Sequence, residues 1–297
     1  MRSTLSRRQF TLLGGAACAA AVSSKAPAAS TKIPIALQLY SLRDDLGFRS
    51  KTPGKGDLPG TLAAIGKMGF QGVEWFGWGG YFERTPKELR KMLDDAGLKT
   101  CSDHIHADAL QGDQFQRTIE LHQTLDNKLV TLSDLTGFKG DRKTPQYWLD
   151  AAKIMNELAE KLKPYGMRLG LHNHAVELQK FEDGRLPWEL IFDNTSKEIA
   201  QQLHLAAWPA AGLDPVAYIR RYAGRTLTMH MNDWAAGRKG VLLGEGDLNW
   251  QGVFDAAETV GGTQWYIVEQ ESYPVTPLES VERSYTNLRK LLAGRKG

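Results

Sequence analysis

Cysteine is almost missing from this chain: Cys18 and Cys101 are the only two in 297 residues, so no disulfide framework can stand in for a hydrophobic core. Long apolar runs are missing too. The longest, Thr11 to Val22, is about twelve residues, short of the roughly twenty that span a bilayer. No charge of one sign dominates. Four of the 37 Lys and Arg fall in the first thirty residues, leaving 33 against 34 Asp and Glu, and such a balance excludes the basic footprint of a nucleic-acid binder. No repeat or low-complexity tract follows residue 31, and no glycine-rich turn follows the first β-rich run, which sets aside an open dinucleotide-binding sheet. Apolar and aromatic residues, by contrast, are plentiful. Hydrophobic residues make up 42%, with 8 Trp, 9 Tyr and 10 Phe, enough for a large globular core.

Residues 1–30 read as an address. Ser6-Arg7-Arg8-Gln9-Phe10, the apolar run and Ala26-Pro27-Ala28 follow the order of charged region, hydrophobic region and small-residue cleavage site. The arginine pair resembles a twin-arginine export signal. That resemblance implies a periplasmic or exported protein, folded before export, with no stable membrane insertion after cleavage. Lipid attachment at Cys18 is disfavoured by Gly15, where such sites usually carry Leu. Cleavage leaves Cys101 alone, so no intrachain disulfide forms.

In residues 31–297, β-rich runs alternate with segments of helical length. The runs are Ile33–Leu39, Gly72–Phe76, Lys99–His104, Lys128–Leu132, Arg168–His172, Ala200–Leu205, Thr226–Met231 and Gln264–Glu269. Between them, Thr85-Pro86-Lys87-Glu88 opens a capped helix ending at Gly97, Thr144-Pro145 opens another reaching Lys163, Asp214-Pro215 a third, and Pro277 to Leu292 forms the last. Strict alternation with eight strands predicts an α/β fold, a single (β/α)8 TIM barrel. Such barrels put their chemistry at the carboxyl ends of the strands, and the polar residues obey. Gln38 and Tyr40 end the first strand, Glu74 and Trp75 the second, His104 the third, His172 and His174 the fifth, His204 the sixth, His230 the seventh and Glu269 the eighth. With His106 just past the third strand, six of the seven histidines occupy such positions; His122, in a helical stretch, is expected at the surface.

Period-two alternation sends His172 and His174 to one face. With His230 and Glu269 on nearby strands they form a ligand set for Zn, Mn, Co or Fe. Seven short motifs in order, Gln38-Leu39-Tyr40-Ser41-Leu42-Arg43, Gly72-Val73-Glu74-Trp75, His172-Asn173-His174, Ala211-Gly212-Leu213-Asp214-Pro215, His230-Met231-Asn232-Asp233, Gly244-Glu245-Gly246-Asp247 and Trp265 to Gln270, resemble the xylose-isomerase-like barrels over nearly all of residues 33–293. The resemblance implies one divalent transition metal. Glu269 and His230 match the family's eighth- and seventh-strand ligands. His172 stands at the fifth-strand position and His204 where the sixth strand normally has Asp. His172 and His174 could exchange roles. Asn232 replaces a lysine common in relatives, which argues against a phosphorylated substrate.

The resemblance further implies a sugar isomerase or epimerase acting on a keto-sugar or polyol through an enediolate. Glu269 is then ligand and base, His174 or Glu177 the second acid/base group, and His104 a hydroxyl contact. Gln38, Glu74 and Asn232 are further candidate substrate contacts. Tyr40, Trp75, Phe76, Trp78, Tyr81 and Trp208 are candidates to cover sugar faces. A dehydratase or keto-glycoside lyase would use the same proton abstraction, and a metal-free sugar-binding protein is the rival from outside enzymology. The expected partner is a small carbohydrate, not nucleic acid; a homo-oligomer is left open.

Overall fold

A computed structural model describes residues 33–48 and 56–295. The segment read as an export signal, with Cys18, lies outside the described residues. Eight parallel strands close into one barrel in sequence order: β1 Ile35–Gln38, β2 Gly72–Trp75, β3 Lys99–Ile105, β4 Leu129–Leu132, β5 Arg168–His172, β6 Ala200–His204, β7 Thr228–Met231 and β8 Trp265–Val268. Each lies within its expected run except β3, which runs one residue longer. The helices are α1 Leu58–Met68, α2 Pro86–Ala96, α3 Gly112–Thr124, α4 Pro145–Leu162, α5 Pro187–Phe192, α6 Ala207–Ala210, α7 Pro215–Arg221, α8 Trp250–Ala256 and α9 Pro277–Ala293. No helix among the described residues is long and apolar enough to cross a membrane.

The punctuation in the sequence acts locally as expected. The Thr85 hydroxyl accepts the Glu88 N–H at 3.3 Å while the Glu88 carboxylate takes the Thr85 N–H at 2.8 Å, and Gly97 ends α2 with φ at 68°. A reciprocal cap of this kind contributes about 1 kcal/mol. Asp214 caps α7 through the Val216 N–H at 3.0 Å.

Outward strand residues such as Leu37, Val73, Leu169 and Met229 join the helices in one continuous core. The lumen is layered. Ala36, Cys101 and Ile267 pack together at its amino-terminal end. Toward the carboxyl ends the inward residues become polar: Gln38, Glu74, Gln202 and Thr228, then His104, His172, His230 and Glu269, all buried. The alternation is broken once. β3 steps from Thr100 opposite Val73 to Ser102 opposite Glu74, so one residue is inserted as a bulge. Thr100 accepts the Trp75 indole N–H outside the barrel at 3.1 Å, and Asp103 also faces outward, while Cys101 and His104 face in.

His122 corrects the surface expectation. It is fully buried under α3, because α3 turns Thr118, Ile119, Leu121 and His122 together against the barrel. Its Nδ1 accepts the Asn127 amide at 3.0 Å, its Nε2 lies 3.8 Å from Asp103, and burial lowers its pKa to about 4.

Candidate functional site

The strand ends surround a cavity of about 340 Å³. Of the residues singled out in the sequence, Gln38, Tyr40, His104, His172, His174 and Glu269 line it, with Phe76 and Trp78. Ser133, Asp134, Thr136 and Glu271 line it as well and were not singled out, although they directly follow β4 and β8, where barrel chemistry gathers. No lysine or arginine lines this cavity among the described residues. A roomier groove of about 700 Å³, against Arg142, Lys180 and Asp183, holds none of these histidines.

His230 is the centre of the charge network. Its Nδ1 donates to Glu269 Oε2 at 2.7 Å and its Nε2 to Glu74 Oε2 at 2.5 Å. Burial alone would lower its pKa, but the two carboxylates override this and carry it up to about 10, so the ring is an imidazolium between two anions. Burial likewise opposes ionisation of Glu269, and His230 with His204 reverses this and holds its pKa well below the usual range. Glu269 Oε2 also lies 3.0 Å from His204 Nδ1 and accepts the Asn232 amide at 3.2 Å. His172 and His174 are neutral at pH 7: burial lowers both, helped by neighbouring imidazoles, and His174 falls to about 4.

Several expected substrate contacts have other work. Trp75 is buried outside the barrel on Thr100. Trp208 is fully buried against Trp188 and Tyr218, its indole N–H given to Asn173 at 3.1 Å. Neither lines the cavity, because both sit on the helix-facing side of their segments. Glu74 lies beneath the cavity rather than on its wall. It is wholly buried, accepting from Gln38 Nε2 at 2.8 Å, from Gln202 Nε2 at 2.7 Å and from His230. Tyr81 is tied down outside the cavity on Asp103. Asn232 bridges β6 and β7, accepting the Ala206 N–H at 2.9 Å.

Glu177 is buried, and its carboxylate accepts the His174 backbone N–H at 2.8 Å. It orients His174 from behind and does not line the cavity. Burial raises its pKa from 4.5 to about 6, against the opposing hydrogen bond. The folded protein therefore holds this proton more tightly than the unfolded chain, and stability from this group is present below about pH 4.5 and lost as pH rises through about 6. Glu177→Gln keeps an acceptor and removes the charge. The unfolding free energy of the variant relative to the parent is expected to improve by roughly 2 kcal/mol between pH 4 and pH 7; parallel pH curves in urea unfolding would contradict it.

One wall of the cavity is aromatic. Tyr40 meets Phe76 edge-on at 5.6 Å, and Trp78 stacks on His106 at 5.9 Å. The loop that carries Trp78 is fixed from below. Asp103, wholly buried, accepts the Gly77 N–H at 2.8 Å and the Tyr81 hydroxyl at 2.6 Å. A side chain at position 77 would clash with the Tyr81 hydroxyl. Asp103→Ala is expected to speed backbone hydrogen exchange across residues 77–84 by about tenfold or more while leaving the barrel strands unchanged; unchanged exchange in this loop would show that ring stacking alone holds it.

The donors suit a divalent ion. The ligand atoms of His204, His230 and Glu269 lie within 4.8 Å of one another, as do those of His104, His172 and His230. With metal–ligand bonds near 2.1 Å, a tetrahedral site has edges of roughly 3.4 Å, close to the 3.0 Å and 2.7 Å from Glu269 to its two imidazoles. The expected set of His172, His204, His230 and Glu269 is thus divided between two overlapping triads that share His230, one of which also takes in His104. A proton on His230 Nδ1 occupies the direction an ion would take, with Glu74 behind the ring in the manner of a carboxylate–histidine–metal relay.

Comparison with known proteins agrees with the barrel fold. The family described as xylose isomerase-like TIM barrel matches residues 62–291. The rhizopine catabolism protein MocC of Rhizobium meliloti is 22% identical over 277 residues, covering 80% of this chain and 83% of that protein. A sugar phosphate isomerase/epimerase structure from Parabacteroides distasonis superposes with a TM-score of 0.71 at 26% identity, covering 91% of this chain and 96% of that one. The IolI protein, solved with a bound zinc atom, superposes with a TM-score of 0.64 at 14% identity, covering 88% and 98%.

Proposed function

The chain belongs to the xylose isomerase-like TIM barrel family, and from that premise we propose that it is a metal-assisted isomerase or epimerase of a non-phosphorylated keto-sugar or polyol. The observation that carries this reading is the convergence of His204, His230 and Glu269, the last of which lines an aromatic-walled cavity that no lysine or arginine among the described residues lines. A phosphate would find no lysine or arginine among the described residues of this wall, whereas a ring rich in C–H faces and hydroxyls would find aromatic and polar partners.

His204, His230 and Glu269 would hold the ion, with His172 beside them. When bound, a Zn- or Mn-type ion withdraws electron density from a substrate carbonyl and eases loss of the neighbouring proton. The rest belongs to the protein. Ionised Glu269 and neutral His174 both line the cavity, and one removes a proton from carbon while the other returns it. Glu177 holds His174 in place through its backbone N–H. Tyr40, Phe76 and Trp78 exclude water from the opposite face, where it would quench the enediolate. Loss of a β-substituent would start from the same proton abstraction, so product analysis separates isomerase from lyase or dehydratase.

The test is solvent exchange. Protein supplied with zinc or manganese is incubated in deuterium oxide with a panel of free keto-sugars and inososes. Deuterium is expected at the carbon beside the carbonyl, with near one equivalent of metal retained. Absence of both exchange and retained metal, with sugar still bound, would replace this reading with that of a sugar-binding protein. The twin-arginine segment supports an exported location, which a reporter fused behind residues 1–35 would test through loss of export when Arg7 and Arg8 become Lys.

A further inference from the structure

Gln202, on β6, was not singled out by sequence, yet it occupies the middle of the lumen. Its amide orientation follows from its neighbours. Glu74 Oε1 lies 2.7 Å from one end of the amide, and an ionised carboxylate only accepts, so that end is the NH2 group. The second N–H of the group goes to the Thr228 hydroxyl at 2.9 Å. The other end is therefore the carbonyl oxygen, and two imidazoles meet it: His104 Nε2 at 2.5 Å and His172 Nδ1 at 3.0 Å. A carbonyl oxygen has two lone pairs and no proton, so both ring nitrogens must donate.

We propose that Gln202 is a positioning residue that locks His104 and His172 in opposite tautomers, protonated on Nε2 and on Nδ1 respectively. The remaining nitrogens, His104 Nδ1 and His172 Nε2, then carry lone pairs on two rings that line the cavity, 4.7 Å apart between centroids. This wall accepts and does not donate. It selects ligands that bring hydroxyl hydrogens, such as adjacent hydroxyls of a polyol, and disfavours carboxylate or phosphate oxygens. It also prepares His172 Nε2 as a metal donor, a consequence that alone rests on the metal-assisted reading above.

Long-range 1H–15N correlation spectra of the full, metal-free protein near pH 8 report each tautomer directly, with assignments from His104→Gln and His172→Gln. The expected pattern is protonated Nε2 in His104 and protonated Nδ1 in His172. The same tautomer in both rings, or protonated Nε2 in His172, would overturn the proposal whatever the protein's activity. Opposite tautomers in a protein that exchanges no sugar proton would leave the proposal standing and sink only the proposed reaction. In Gln202→Met, which fills similar volume without the amide, His172 is expected to become a tautomer mixture and zinc affinity by competition to fall about 10- to 100-fold. Gln202→Glu, which keeps an acceptor, is expected to restore the His172 Nδ1 proton. A Met variant with the parent's tautomers would show that the amide does not set them.

Discussion

Replacing Glu269 by glutamine is expected to reduce turnover of the parent's substrate by about a thousandfold or more, through lost proton transfer and lost charge stabilisation together. The fold should survive, because a glutamine carbonyl can still accept from His204, His230 or Asn232, and Glu74 still faces His230. Two readouts separate the effects. Bound metal by elemental analysis is expected to drop well below one equivalent. The His230 ring, relieved of one carboxylate, is expected to titrate below its present value of about 10 in the metal-free protein. Turnover within tenfold of the parent, with metal retained, would remove Glu269 from the chemistry.

Glu74→Gln is expected to have the largest effect on stability, costing about 3 to 5 kcal/mol. The substitution changes one atom and leaves no cavity, yet it places an NH2 group among three donors from Gln38, Gln202 and His230. It also leaves His230, buried to 0% exposure, with one counter-charge where it had two. Urea unfolding at pH 7, beside Glu177→Gln as a buried carboxylate with a single partner, measures the difference. A loss under about 1 kcal/mol would mean that His230 stands neutral between its neighbours.

The barrel was legible in the sequence because its signals are local. Apolar runs, the Thr85–Glu88 cap and the Asp214-Pro215 start each report on a few adjacent residues, and the carboxyl-end rule then gathers the histidines. Parts of the motifs proved structural: Asp233 accepts the Gly244 N–H at 2.8 Å and the Trp250 indole N–H at 2.9 Å, shaping the loop after β7. The lumen network was not legible. Gln202 contacts Glu74 across 128 positions, and His230 contacts Glu74 across 156, separations that only barrel closure brings within hydrogen-bond reach. Trp75 and Trp208 were misplaced for a related reason. A position near a strand end gives height along the barrel and not the direction in which an indole points.

The β3 bulge gives the gene an unusual point of tolerance. A single-codon deletion inside a regular strand shifts the phase of everything after it. Removing the one codon for Cys101 would instead take out the inserted residue and leave Thr100 opposite Val73 and Ser102 opposite Glu74. Asp103 would keep facing the helices, where it anchors the Trp78 loop, and His104 would keep facing the cavity. In-frame deletion scanning should therefore find the loss of Cys101 better tolerated than the loss of a residue inside a bulge-free strand such as β5.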